Sequence, residues 1–397
     1  MKTAKWLESI TPSPTMAVNQ KVIELKAKGK KIISLVVGEP DFETPQPIKD
    51  AVSDALKKNL TRYSETEGVK VFRDAICMKL KKDNNVVYDP SQIIVTCGAK
   101  QAISTALDVI LDAGDEVLVP SPYWVSYPDM VKLARGIPVF VPTTSENRYK
   151  LTTKDLEKHT TSKTVALILN NPSNPTGVLY DEKELLEISN WCLARGVIVI
   201  ADEIYERIVF SGRKFICIAS LSKEIYENTI TINGLSKSHC MTGWRIGYAA
   251  GPQKIIKAMT KCQSHLLSHI PTFLQHAAVV ALNDDSYIAP MVVAYEERVK
   301  TSMELIKNHM PLSSCVEPDG AFYLFPTVDK YLGKSFNGKV IKDSVDIATF
   351  LLEEANVAVV PGVAFGMDNN IRFSVATSLE EIKEGIQKIG LALKKLA

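Results

Sequence analysis

One lysine in this chain keeps unusual company. In Thr231–Gly251, TINGLSKSHCMTGWRIGYAAG, Lys237 stands among small, hydroxyl and apolar residues, with Ser236 before it and Arg245 eight positions on. If a strand end buries that amine, desolvation and the nearby guanidinium both lower its pKa. A neutral amine is what a Schiff-base lysine requires; a solvated loop lysine is the plain alternative. Ser236 and Arg245 add a hydroxyl and a bidentate fork suited to a phosphate dianion. Three other segment endings carry polar groups of the same kind. VTCGAKQAI reads as a strand, a small-residue turn at Gly98 and Ala99, and a helix whose free amides suit a phosphate, although ordinary connections share this pattern. LNNPSNPTG is a rigid loop with amides on offer, or simply a turn. VIVIADEIY delivers Asp202 to the end of a buried strand, with Tyr205 three further on. A buried carboxylate needs a cation or hydrogen bonds, which a helix amide or an internal arginine would also supply.

The elements that must position these residues follow from the pattern of apolar residues. From QIIVTCGA to NTITINGLSK, short apolar runs alternate with amphipathic stretches of helical period, and each run ends in polar or glycine-rich residues. That is the rhythm of an α/β sheet of largely parallel strands, in which ligands bind outside the carboxyl ends. The last hundred residues differ. A long helical stretch near YEERVKTSMELIKNHM precedes short strands at GAFYLFPTV, NVAVVPG and IRFSVATS and a final amphipathic helix, which reads as a smaller α+β unit. No repeat or low-complexity tract divides the chain, so its domains are interleaved rather than beaded.

Composition narrows the class. The 397 residues are 46% hydrophobic and 23% charged, enough for a sizeable core in two or three domains. The net charge of +2 argues against a dedicated nucleic-acid binder, which usually carries a basic face. No run of about 18 apolar residues suggests a membrane span, and the opening MKTAKWLESITPSPT lacks the apolar core of a secretory signal, so a cytoplasmic location is expected. Seven scattered cysteines without a CxxC pair suit free thiols in a reducing compartment. His265 and His269 share a helical spacing but have no third ligand nearby, so no metal site is expected.

Taken together, a phosphate cradle, a carboxylate at a strand end and a lysine beside an arginine are the parts that pyridoxal 5'-phosphate needs: an anchor, a partner for the pyridine nitrogen and an amine for the aldehyde. Here the chain resembles the class I, fold-type I pyridoxal-phosphate aminotransferases, most closely those of the prokaryotic-type aspartate aminotransferase group. The resemblance spans nearly the whole chain and rests on GEPDF at Gly38 to Phe42, GAKQA, PYWVSYP, NPSNPTG, ADEIY, SK at Ser236 and Lys237, MTGWRIGY, GAFYLF, VAVVPG and IRFSVATS, in that order.

The resemblance implies a large domain, residues 46–289, with a mixed, mostly parallel seven-stranded sheet and the cofactor. It also implies a small α+β domain made of residues 1–45 and 290–397. Lys237 should bond the cofactor and later move a proton at the substrate Cα. Asp202 should pair with the pyridine nitrogen, Tyr205 and Asn174 should bind the phenolic oxygen, and Trp124 should stack on the ring. Gly98, Ala99, Ser236 and Arg245 should hold the phosphate, with Tyr63 reaching in from a second subunit, which implies a homodimer with shared sites. Arg372 should grip the substrate α-carboxylate, helped by the Gly38 backbone, while the small domain closes to exclude water. The implied reaction is ping-pong transfer of an amino group between an L-amino acid and a 2-oxo acid.

For substrate choice, the resemblance gives Lys100 and Thr15 as receivers of the distal carboxylate of aspartate or glutamate. Relatives that also accept prephenate tend to carry lysine just before PSPT, where this chain has Thr11, so that second activity is not expected. The segment Gln263 to Phe273, QSHLLSHIPTF, is more apolar than is usual for the group; Leu266, Leu267 and Ile270 either broaden the range toward aromatic or aliphatic side chains or repack a subunit contact. An aminotransferase of other specificity, or another fold-type I pyridoxal-phosphate enzyme, is the main alternative. A sensor fused to a DNA-binding head would need a basic helix-turn-helix extension, and a dehydrogenase would need a GxGxxG after its first strand.

Overall fold

The computed structural model describes residues 2–12 and 14–397, with the side chains of residues 14–17 outside the description. Seven strands form the large sheet: β1 (Ile93–Thr96), β2 (Glu116–Ser121), β3 (Ile137–Pro142), β4 (Thr164–Asn170), β5 (Ile198–Asp202), β6 (Thr229–Gly234) and β7 (Gly247–Ala250), in the spatial order β1-β7-β6-β5-β4-β2-β3. All neighbours run parallel except β7, which is antiparallel to both β1 and β6. The apolar runs explain the burial: Val117, Leu118 and Val119 of β2, and Leu167 and Ile168 of β4, are shielded because helices cover both faces of the sheet.

The register fixes where chemistry can occur. Asn170, last in β4, pairs with Asp202, last in β5, so two polar side chains leave the sheet side by side. Helix Gly98–Ile110 begins directly after β1, with its amino end at the same edge. This is the mixed, mostly parallel sheet of the fold-type I architecture.

The remaining elements gather around a second core. Tyr323–Leu324, Ile371–Ser374 and Val360–Pro361 make a three-stranded antiparallel sheet, and Ile33–Ser34 pairs in parallel with Val357–Ala358. The stretch NVAVVPG therefore breaks into two strands rather than one, because its first half serves Ile33–Ser34 and its second half serves Ile371–Ser374. GAFYLFPTV contributes only Tyr323–Leu324, since Ala321 takes a positive φ of 56° on one side and Pro326 lacks an amide on the other. Helix Ile288–His309 packs on helix Leu379–Leu393 around Tyr295, Phe322, Phe373 and Ile389. Among the described residues no single helix is long and apolar enough to cross a membrane.

Candidate active site

A cleft of about 270 Å³ opens at the carboxyl ends of β4, β5 and β6, between the large sheet and the second core. Its lining includes Gly38, Ala99, Lys100, Trp124, Asn174, Asp202, Tyr205, Ser236, Lys237, Arg245 and Arg372, so most of the residues singled out in the sequence come together here.

Lys237 lies three residues beyond β6. Its Nζ donates to the Gly38 carbonyl at 2.6 Å and lies 5.9 Å from the Tyr205 ring. Burial brings its pKa down to about 8, with Arg372 and Arg245 pushing the same way and Glu39 and Asp202 opposing. A minor but accessible fraction of the amine is then neutral near physiological pH, as a nucleophile requires.

Asp202 is buried, and burial lifts its carboxyl to about 6. The Tyr127 hydroxyl (2.5 Å), the Ile204 amide (3.3 Å) and the charge of Lys237 act against that rise. The Tyr205 hydroxyl shares a hydrogen bond of 2.8 Å with that of Tyr323. Asn174 receives Arg372 Nη1 on its Oδ1 at 3.1 Å, and its own amide donates to Asn170 Oδ1 at 2.7 Å.

The amino end of helix Gly98–Ile110 meets Arg245. Gly98 has φ +76°, and a Cβ there would lie 2.6 Å from Arg245 Nη2, so only glycine lets the guanidinium rest against the helix start. Arg245 donates to the carbonyls of Thr242 (3.0 Å) and Cys97 (3.1 Å). With Ser236 and Ala99 also on the lining, backbone amides, a hydroxyl and a cation converge as an anion cradle.

Arg372 is fully enclosed. It donates to Asn174 and, at 2.6 Å, to the Val36 carbonyl, and lies over the rings of Tyr323 (4.5 Å) and Phe365 (5.0 Å), while its Nε is buried with no partner among the described residues. Lys100 Nζ sits 4.9 Å above Trp124 and donates to Ser126 Oγ at 3.2 Å; burial, then Arg245, lowers its pKa.

Not every expected residue lines this cleft. Tyr63 is 91% exposed, in edge contact with His269, and lies outside the lining of its own chain's cleft. The side chain of Thr15 is outside the described residues. Leu266 and Leu267 are exposed (67% and 43%) and do not line the cleft, whereas Ile270 turns into the core beside Val69 and Phe72, where a branched aliphatic chain fills space. Thr11 donates its hydroxyl to Asp129 at 2.9 Å. Tyr127, Tyr323, Asn170 and Thr242 carry polar groups to the site that sequence reading did not assign. Tyr127 had a signal, since it follows Trp124 by three residues in PYWVSYP, one helical turn away.

The charge pattern tests whether a cofactor fits. Asp202 is the one carboxylate on the lining, while Lys100, Arg245 and Arg372 have no carboxylate partner within salt-bridge distance among the described residues. Such a cleft suits an anionic heteroaromatic ligand bearing a phosphate, and a partly neutral lysine stands within it. Fold and site thus define a pyridoxal-phosphate-dependent enzyme of fold type I.

Comparison with known proteins narrows the class further. The family model for aminotransferase class I and II matches residues 30–389. The chain is 46% identical over 396 residues to an aspartate aminotransferase of Bacillus subtilis (strain 168), covering 100% of both chains. It is 45% identical over 393 residues, 98% of each, to a probable aspartate/prephenate aminotransferase of Rickettsia typhi. Among solved structures, the aspartate aminotransferase of Rhizobium meliloti superimposes with a TM-score of 0.95 at 37% identity, over 100% of both chains. The chain belongs to the class I and II aminotransferase family.

Proposed function

We propose that this aminotransferase moves the amino group of L-aspartate to 2-oxoglutarate, giving oxaloacetate and L-glutamate in two half-reactions. The observation that carries the reading is that, besides Lys237, three cleft cations have no carboxylate partner among the described residues: Arg245, Arg372 and Lys100 answer one phosphate and the two carboxylates of a dicarboxylic substrate. The names of the relatives support the same substrate class.

In this reading Arg245, Ser236 and the amides of Gly98 and Ala99 hold the cofactor phosphate. Asp202 faces the pyridine nitrogen, Tyr205 and Asn174 hold the phenolic oxygen, and Trp124 covers the ring. When bound, pyridoxal phosphate supplies an electron-accepting ring that makes the substrate Cα–H acidic. Arg372 receives the α-carboxylate, and Gly38 offers its backbone. Lys100, with Thr15, receives the distal carboxylate. Lys237 would take the proton from the substrate Cα and deliver it to C4' of the cofactor, which a base held near neutrality does efficiently.

The large unit of this reading is residues 46–289 and the small unit residues 1–45 and 290–397; the pairing of Ile33–Ser34 with Val357–Ala358 supports joining the two ends. The exposed Tyr63, Leu266 and Leu267 support a homodimer in which Tyr63 completes the partner's phosphate site. The free cysteines suit the cytoplasm.

An absorbance spectrum of the protein with pyridoxal phosphate, recorded before and after L-aspartate without an oxo-acid acceptor, tests the assignment. Loss of the visible band on adding aspartate is expected. A band that ignores aspartate but responds to phenylalanine or alanine would transfer the reading to another donor.

A further inference from the structure

We infer that Tyr127 is a positioning residue for Asp202, holding one carboxylate oxygen so that the other stays available to the cleft. The inference rests on the proposed role of Asp202. The Tyr127 hydroxyl donates to Asp202 Oδ2 at 2.5 Å, and both side chains are buried. Among the described residues Oδ1 receives only the Ile204 amide, at 3.3 Å. The Tyr127 ring is fixed independently: its amide donates to the Trp124 carbonyl at 3.0 Å, its ring meets the Trp124 ring edge-on at 5.3 Å, and it packs among Met130, Val131 and Ile168. One turn of chain thereby places a stacking surface in the cleft and a hydroxyl on the carboxylate.

A buried carboxylate with one strong hydrogen bond is held both in orientation and in charge. The titratable groups facing Asp202 are Tyr127 from this turn, Lys237 from the turn after β6, and Tyr205 from its own turn. Of the first two, which favour the anion, Tyr127 acts more strongly than Lys237. Tyr205 does not bond the carboxylate; its hydroxyl is committed to Tyr323. Without the Tyr127 hydroxyl the carboxyl would ionise at higher pH and turn more freely.

The test is the dissociation constant of pyridoxal phosphate from the apoenzyme, read by tryptophan fluorescence between pH 5.5 and 9, for wild type, Tyr127→Phe, Asp202→Asn and the double variant. Tyr127→Phe keeps the ring and its packing. It should weaken binding about tenfold near pH 6.5, with the midpoint of the pH profile moved up by about one unit and convergence on wild type by pH 9. Asp202→Asn should bind weakly at every pH, and adding Tyr127→Phe to it should change nothing further. An unmoved midpoint in Tyr127→Phe, or an equal further loss in the Asp202→Asn background, overturns the inference and leaves Tyr127 a packing residue. Wild-type binding by Asp202→Asn overturns instead the reading of Asp202 beneath it. Should Tyr127→Phe not fold, recovery of folding in the double variant carries the inference, and failure of both overturns it.

Discussion

Lys237 and Lys79 are two enclosed lysines that meet the same stretch, Asp202 to Glu206, in opposite circumstances. Lys79 is locked: it pairs with the Glu206 carboxylate and donates to Asn84 Oδ1 at 2.6 Å, while Asn84 donates to the other Glu206 oxygen. Around this group only about 20 Å³ of space remains, with Arg207 nearby bridging Asp83 and Asp285. Among the described residues Lys237 has no such partner. Its amine reaches a single carbonyl and otherwise faces a 270 Å³ cleft. Paired charges offset each other's desolvation and hold a turn rigid; an unpaired one keeps the desolvation cost and stays reactive. The two lysines differ in what surrounds them rather than in burial, and that difference separates scaffold from chemistry.

The largest break in the comparison comes from removing the reactive member. Lys237→Ala should lower transamination by about 10⁴-fold or more, because it deletes both the amine that bonds the cofactor and the base at the substrate Cα. The circular dichroism spectrum should stay close to wild type, since no carboxylate loses its partner. Substantial residual turnover would sink the assignment.

The scaffold lysine should behave in the reverse way. Lys79→Met leaves the Glu206 carboxylate buried without its cation and should cost about 3–5 kcal/mol of unfolding free energy, measured by urea denaturation. Pairing it with Glu206→Leu should recover most of the loss, and the folded protein should still bind pyridoxal phosphate. A single variant no weaker than an exposed lysine replacement would mean that the pair holds nothing together.

This contrast also shows what the sequence made legible. The α/β rhythm, the polar strand endings and the motifs at Asp202 and Lys237 could be read because periodicity and local spacing carry them. Lys79 stands in KVFRDAICMKLKKDN, a helix with other lysines, and nothing local distinguishes it from its neighbours; its partner lies 127 residues away. Tyr323 was hidden for the same reason, since its hydroxyl finds a partner 118 residues distant, whereas Tyr127 had a local signal beside Trp124 although its partner lies 75 residues away. Ile270 was grouped with Leu266 and Leu267 as either broadening the substrate range or repacking a subunit contact, yet it points into the core, because a run of apolar residues does not say which of them turn inward.

The smallest effect sharpens the comparison most, because its sign is opposite for the two lysines. The folded-state pKa of Lys237, about 8, lies below its ordinary value of 10.5. Between those two pH values the folded apoprotein binds fewer protons than the unfolded chain, so its stability rises with pH across this window and sits at a constant deficit below it. Asp202 runs the other way: its carboxyl, lifted from 3.8 to about 6, makes stability fall as pH rises between those values. Lys237→Met should therefore stabilise the apoprotein at pH 7 by about 1–3 kcal/mol and abolish the rise between pH 8 and 10.5, whereas Lys79→Met destabilises. Urea titrations of the two apoprotein variants at pH 7 and pH 10 decide it. Loss of stability in Lys237→Met at pH 7 would mean that the cleft lysine, too, is held by compensating contacts and that the contrast drawn from its surroundings fails.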